Sequence, residues 1–387
     1  MIAPIETELS WSRAEITSGL FIVSLLVLPL SPLVGTAIDR HGPRRLAILG
    51  IIIYSLSLAG LSLAQHAIWT WWLLWLPLSI GILCLKPTVW VAAISSLFHT
   101  HRGLAIACAL GATGLMSSVA PSFTNYLVGQ FGWRAAYGVW GAITLAVALP
   151  VVYTFFTSAR DQSRSATGGG PTAHGLPHLD TGEAQRFGRT VMSAPFIKLA
   201  TVAVLMSVAS LAVVVNLVPI LSSLGMDVGR AAAVVGIVGV SQLVGRFGGG
   251  FLLDRFDARL VGALVAILPA ISSVLIVGLG PSIIPVAIGV LMFGLTIGAE
   301  VDVIAYLAAR FFEGRNFGAL FGLIVGLLTL GVGVGPLLAS VVYDVTKSYL
   351  PVLWAVIPMF ITAGVLLLTM GPYPQRRNGS LMPVEEA

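Results

Sequence analysis

The chain has 387 residues, 57% of them hydrophobic and only 10% charged, with a formal net charge of +5. A soluble globular domain carries roughly 25% charged residues, so a soluble enzyme or nucleic-acid-binding domain is excluded and the chain belongs in lipid. Its Lys and Arg gather at alternate ends of the apolar runs, the pattern of membrane topology rather than of an acidic partner.

Residues 1 to 14 are polar, carry Glu6, Glu8 and Arg13, and precede the first expected helix. A run of about 20 apolar residues crosses a bilayer core about 30 Å thick once. Without water for the backbone only helices or closed barrels can cross, and long, non-alternating runs choose helices. The runs predict helices at about 15–37, 45–65, 69–97, 103–128 and 135–157, then at about 195–222, 229–253, 258–279, 283–311, 316–343 and 349–370. The expected domains are an N-terminal transmembrane bundle over 1–157, a flexible cytoplasmic linker over 158–193, a C-terminal bundle over 194–371 and a cytoplasmic tail over 372–387.

The charged stretch from Gly35 to Arg45 reads as a short hinge between apolar runs, and a second copy stands near Gly250 to Arg259. Asp39-Arg40 and Asp254-Arg255 differ by 254 − 39 = 215 positions, and Pro121 and Pro336 by the same 215. The halves therefore run in parallel, related by an axis along the membrane normal. The predicted fold class is all-α: a polytopic membrane protein of two parallel-repeat bundles with about 11 transmembrane helices. At this offset the partner of the run beginning near Pro195 would fall ahead of Met1. The expectation is that the first helix of a twelve-helix design is missing from this sequence, with a true eleven-helix chain as the alternative.

Charges inside apolar runs are the candidate site. Arg246 lies about 12 Å in from Asp254 at 1.5 Å per residue. An arginine at that depth costs about 2.5 to 3.5 kcal/mol, so it is expected to face a watery cavity or a partner, where its fork can hold a carboxylate; a structural arginine is the alternative. Lys86 reaches a similar depth and either helps hold an anion or pairs with an acid. Pro87 beside it loosens the helix. Glu300 and Asp302 are two residues apart, about 200° around a helix. One is expected to face the cavity as a proton-coupling group and the other to pack against a neighbour. Asn216, near Pro219, bonds either substrate or a neighbouring helix.

At the cytoplasmic edge Gly35, Asp39, Arg40, Gly42, Arg44 and Arg45, with Asp254 and Arg255, are too shallow for substrate and are expected to gate. Trp69, Trp71, Trp72 and Trp75 read as an interfacial belt. Gly245 to Gly250 and Gly331-x-Gly333-x-Gly335 read as close helix packing. Cys84 and Cys108 read as buried thiols. His99-x-His101 and His174-x-x-x-His178 have no Cys or carboxylate at ligand spacing, and no catalytic constellation stands out. Neither a metal nor another cofactor is implied.

Gly35-x-x-x-Asp39-Arg40-x-Gly42-Pro43-Arg44-Arg45 resembles the signature loop of the major facilitator superfamily, and Gly245-Arg246 through Asp254-Arg255 resembles its second copy. Trp11-Ser12-Arg13-Ala14-Glu15, Gly132-Trp133-Arg134 and Gly298-Ala299-Glu300-Val301-Asp302 look like segments of the branch holding monocarboxylate transporters and oxalate:formate antiporters. The resemblance implies a secondary carrier moving a small organic anion, a monocarboxylate by class, by alternating access, with a proton or counter-anion coupled. It implies that Arg246 binds the substrate carboxylate. Gln242, one turn earlier, stands where proton-coupled animal members have aspartate, and is a further candidate contact. The alternatives are an exporter of neutral or cationic small molecules and a non-transporting membrane sensor or partner-binding protein. The expected location is a plasma membrane, bacterial inner membrane by class, with a cytoplasmic C-terminus.

Overall fold

The computed structural model describes residues 1–86, 89–90, 102–156, 189–278, 282–312 and 317–371. The tail, the two histidine pairs and the expected linker up to residue 188 lie outside them. The side chains of Gly35, Asp39, Arg40 and Cys108 are not among those described.

The first half holds α1 (Ile2–Leu9), α2 (Arg13–His41), α3 (Pro43–Gly60), α4 (Ile68–Cys84) and α5 (Arg102–Phe155). The second holds α6 (Ala194–Val214), α7 (Leu217–Ser223), α8 (Val228–Val235), α9 (Ile237–Arg255), α10 (Ala258–Gly278), α11 (Ile283–Phe311), α12 (Phe317–Thr346) and α13 (Leu350–Leu368). Among the described residues eight helical stretches are long and apolar enough to cross a membrane. One of them is two expected runs in one: α5 bends at Gly132, whose φ of 78° is open to glycine and strained for other residues. The 29-residue α2 and the 17-residue α4 supply the other two runs.

Several elements depart from expectation for local reasons. Residues read as a polar lead-in form α1, because Ile5 and Leu9 share one face and bury it. The charged stretch after the first run is no loop: α2 continues through His41 and only Gly42, with φ 85°, breaks the path before Pro43 opens α3. The helix expected over 69–97 is interrupted after Cys84, since Lys86 precedes a proline and is pushed off helical geometry; residues 89–90 are helical again, and 91–97 lie outside the described residues. The run 195–222 divides at Val215–Asn216, where the ring of Pro219 meets the carbonyl four residues back. Trp71 and Trp75 are core rather than belt: one turn apart, they turn together toward α2, where Trp71 Nε1 donates to the Ile16 carbonyl at 3.0 Å. Trp69 and Trp72 remain exposed.

Three apolar clusters fill the molecule, one in the first half around Ile51, Trp71 and Trp133 and two in the second around Phe293 and Leu307. Each draws its residues from a single half. The halves meet instead through small residues, where lipid offers no hydrophobic drive and close backbone approach supplies dispersion. A Cβ on Gly333 of α12 would sit 2.6 Å from Ser24 Oγ on α2, and a Cβ on Gly239 of α9 would sit 2.3 Å from Ser118 Oγ on α5. These two crossings are images of each other in the repeat, because 239 − 24 = 215 and 333 − 118 = 215. The glycine run of α12 serves two neighbours: Gly331 and Gly335, one turn apart, meet Ser207 and Val208 of α6, while Gly333 turns the other way to α2.

Candidate functional site

α9 and α11 cross on glycines, and that crossing builds the candidate site. A Cβ on Gly245 would lie 2.2 Å from the Leu295 carbonyl oxygen, and one on Gly298 would lie 2.1 Å from the Gln242 carbonyl and 2.8 Å from the Arg246 amide. Only glycine permits this approach, which lays the Gln242–Arg246 turn of α9 against the Gly298–Asp302 stretch of α11. Val240, Val244, Phe247 and Phe251 form an exposed apolar stripe on the opposite side of α9. The polar pair therefore turns inward.

Arg246 is half-buried, and its turn of α9 lies against the Gly298 face of α11, on which Asp302 follows one turn later. Among the described residues it has no carboxylate within 4.0 Å. Its fork is within the field of an acid without being consumed by one. Glu300 points elsewhere: the residue is 5% exposed, Oε2 accepts from Ser210 Oγ of α6 at 3.4 Å, and Oε1 has no partner among the described residues. The 200° separation read from the spacing thus puts the two acids on different neighbours, Asp302 toward α9 and Glu300 toward α6.

The other candidates are not part of this cluster. Lys86, just past the end of α4, donates to Ser31 Oγ of α2 at 3.4 Å and makes no ion pair among the described residues. Asn216 is fully buried, its Nδ2 donating to the Ala212 carbonyl at 3.0 Å and its Oδ1 accepting from Tyr349 at 3.5 Å. Its amide thus bonds back onto the preceding turn through Nδ2 and across to the start of α13 through Oδ1. Of the edge residues, Arg44 Nη2 donates to the Tyr153 carbonyl at 2.6 Å, Arg45 is exposed, and exposed Arg255 lies over the Phe251 ring at 4.3 Å beside exposed Asp254.

Sequence reading missed several partners. Ser31 and Ser210 carry no local signal beyond a hydroxyl in an apolar run. Asp257 forks onto Arg259 at 2.6 Å. Asp344 and Tyr349, which meet Arg13, were legible only as the lone acid ending an apolar run and an aromatic at the start of the next.

The Major Facilitator Superfamily model matches residues 1–301 and 199–384. Monocarboxylate transporter 13 of Bos taurus is 27% identical over 345 residues, covering 87% of this chain and 74% of that protein. Monocarboxylate transporter 12 of Mus musculus is 24% identical over 309 residues, covering 70% and 61%. Among solved structures, a D-xylose–proton symporter superposes with a TM-score of 0.70 at 15% identity over 96% of this chain and 92% of that one. A bacterial homologue of the human lysosomal transporter Spinster, in an inward-facing and unoccupied conformation, gives 0.66 at 16% identity over 95% and 90%. At these identities the two structures speak for the fold alone.

Proposed function

Because the chain belongs to the Major Facilitator Superfamily, a family of multi-pass membrane transporters, we propose that it carries a small organic anion, a monocarboxylate by class, by alternating access of its two halves. The observation that carries this reading is Arg246. A guanidinium held in the interior of α9 beside the stretch of α11 that carries Asp302, with no close ion pair among the described residues, offers the two parallel donors a carboxylate needs. The relatives named monocarboxylate transporters support the same substrate class.

Asp302 and the substrate then compete for one cation. Gln242 leaves the position one turn before Arg246 neutral, and α11 supplies the acid instead, so protonation of Asp302 would release Arg246 to the incoming anion. Glu300, with one carboxylate oxygen unpartnered away from water, is the second candidate for the coupled proton. Lys86 adds positive potential from the first half. The Asp254 and C-terminal ends face the cytoplasm of a plasma membrane in this reading, on the bias of Lys and Arg.

Counterflow of a panel of labelled organic acids into proteoliposomes tests the class. Saturable exchange of short monocarboxylates, lost in Arg246→Gln with the protein still folded, is expected. Undiminished exchange in that variant removes Arg246 from the reading, and exchange only of cations removes the anion.

A further inference from the structure

A polar cluster at the Arg13 end has no part in the substrate reading. α2 starts at Arg13, and its first two amides, those of Arg13 and Ala14, donate to the Asp344 carboxylate at 3.1 and 2.8 Å. Asp344 belongs to the last turn of α12, in the other half. An acid there is disfavoured by its own helix, whose C-terminal end is negative, and is favoured at the positive start of α2. Its placement makes sense only across the boundary.

The Arg13 side chain reinforces the contact. Its guanidinium lies 3.7 Å from the centroid of the Tyr343 ring, Nη1 donates to the Tyr349 hydroxyl at 3.0 Å, and Nε donates to Glu6 at 2.9 Å. Tyr343 and Tyr349 stack at 4.5 Å, and Tyr349 bonds the buried Asn216. One chain of contacts so runs from α1 through α2 into α12, α13 and the break before α7.

The repeat supplies a control. At the start of α8, the cap is the helix's own Asp227, bonding Gly229 at 2.9 Å and Arg230 at 3.2 Å, and 227 − 12 = 215 matches it to Ser12, which caps Glu15 in α2 at 3.2 Å. The position matching Asp344 is Gly129, since 344 − 215 = 129, and residues 127–131 hold no acid. A helix start of this fold is therefore complete without an acid lent by the other half. Among the described residues only the α2–α12 crossing has one.

We propose that Asp344, with Arg13, Tyr343 and Tyr349, is the gate that holds the halves together at the Arg13 end, and that this end opens when Asp344 leaves the start of α2. The proposal rests on the alternating-access reading above. The test needs no substrate: Thr17, one turn inside Arg13 and 3% exposed, is replaced by Thr17→Cys in the full chain carrying Cys84→Ala and Cys108→Ala. Its reaction with a bulky, charged maleimide is then timed on purified protein.

The expected result is slow labelling with Asp344 present and labelling faster by about tenfold or more with Asp344→Asn, the ratio that 1.4 kcal/mol of lost closure sets. Tyr349→Phe should give a smaller rise. An unchanged rate in an Asp344→Asn chain that keeps the parent's melting midpoint overturns the gate. If that chain does not fold, Arg13→Gln is read by the same rule. Uptake separates the two ideas: faster labelling with no carboxylate exchange in the parent keeps the gate and removes the substrate class, while unchanged labelling with Arg246-dependent exchange does the reverse.

Discussion

At the Arg13 end, Asp344 and Tyr349 of the second half bond the start of α2 in the first, whereas at the Gly42 end Arg44 bonds the Tyr153 carbonyl within the first half and Arg259 bonds Asp257 and the Gly371 carbonyl within the second. Both ends are rich in charge. Among the described residues, the difference is where each charge finds its partner. A bond within a half moves with that half and leaves it free to rock, while a bond between halves must break first. The repeat makes the contrast sharper, because the two crossings of α2 with α12 and α5 with α9 use the same Ser–Gly contacts. The fold itself is two-fold; the closure of the Arg13 end is not.

Variants can pull these layers apart. The largest effect should come from between the ends: Arg246→Gln touches neither set of bonds, and loss of two charge-assisted hydrogen bonds at about 1.5 to 3 kcal/mol each should lower saturable uptake by at least about 100-fold. Arg246→Lys, which keeps charge but not the fork, should recover only part of it. Initial-rate uptake measured beside thermal melting separates this from misfolding.

Next comes the symmetry of the crossings. Gly333→Val and Gly239→Val each drive a side chain into atoms within 2.6 Å, and overpacking costs about 1 to 3 kcal/mol. Both should melt earlier by similar amounts; a tolerated change at one and not the other would show that the crossings are not equivalent.

A third pair addresses the ends directly. Asp344→Asn should speed labelling at Thr17→Cys, whereas Arg44→Gln, which loses a bond inside one half, should leave that rate within about twofold. If Arg44→Gln speeds it as much, the distinction between bonds within and between halves fails.

The smallest effect belongs to Glu8, whose carboxyl is held below its ordinary value of 4.5 by the hydrogen bond from Arg134 and then that from Trp133. A lowered folded value means that Glu8 adds stability above pH 4.5, lost as pH falls through the lower folded value. Glu8→Gln should thus reduce the melting midpoint slightly at pH 7 and progressively less in acid. An equal reduction at all pH values would assign the effect to shape rather than charge.

Hydropathy located the long apolar helices and the 215-residue repeat located the paired edge motifs, because a bilayer dictates run length and a duplicated gene preserves spacing. It also singled out Arg246, Glu300 and Asp302, since a charge in an apolar run is conspicuous whatever surrounds it. Breaks within runs were less legible. Pro219 acts on a carbonyl four residues earlier, so the helix parts before the proline that parts it.

The helical, duplicated membrane architecture follows from run length and repeat spacing, properties read one helix at a time. Which charge meets which follows from the crossings. Asp302 shares the face of Gly298 that meets the Arg246 turn because glycines let α9 and α11 touch, Glu300 bonds Ser210 because it leaves α11 on the other side, and Asp344 bonds the start of α2 across 331 positions of chain. Such pairings are set by how helices cross, and the spacing along one helix carries no record of the next.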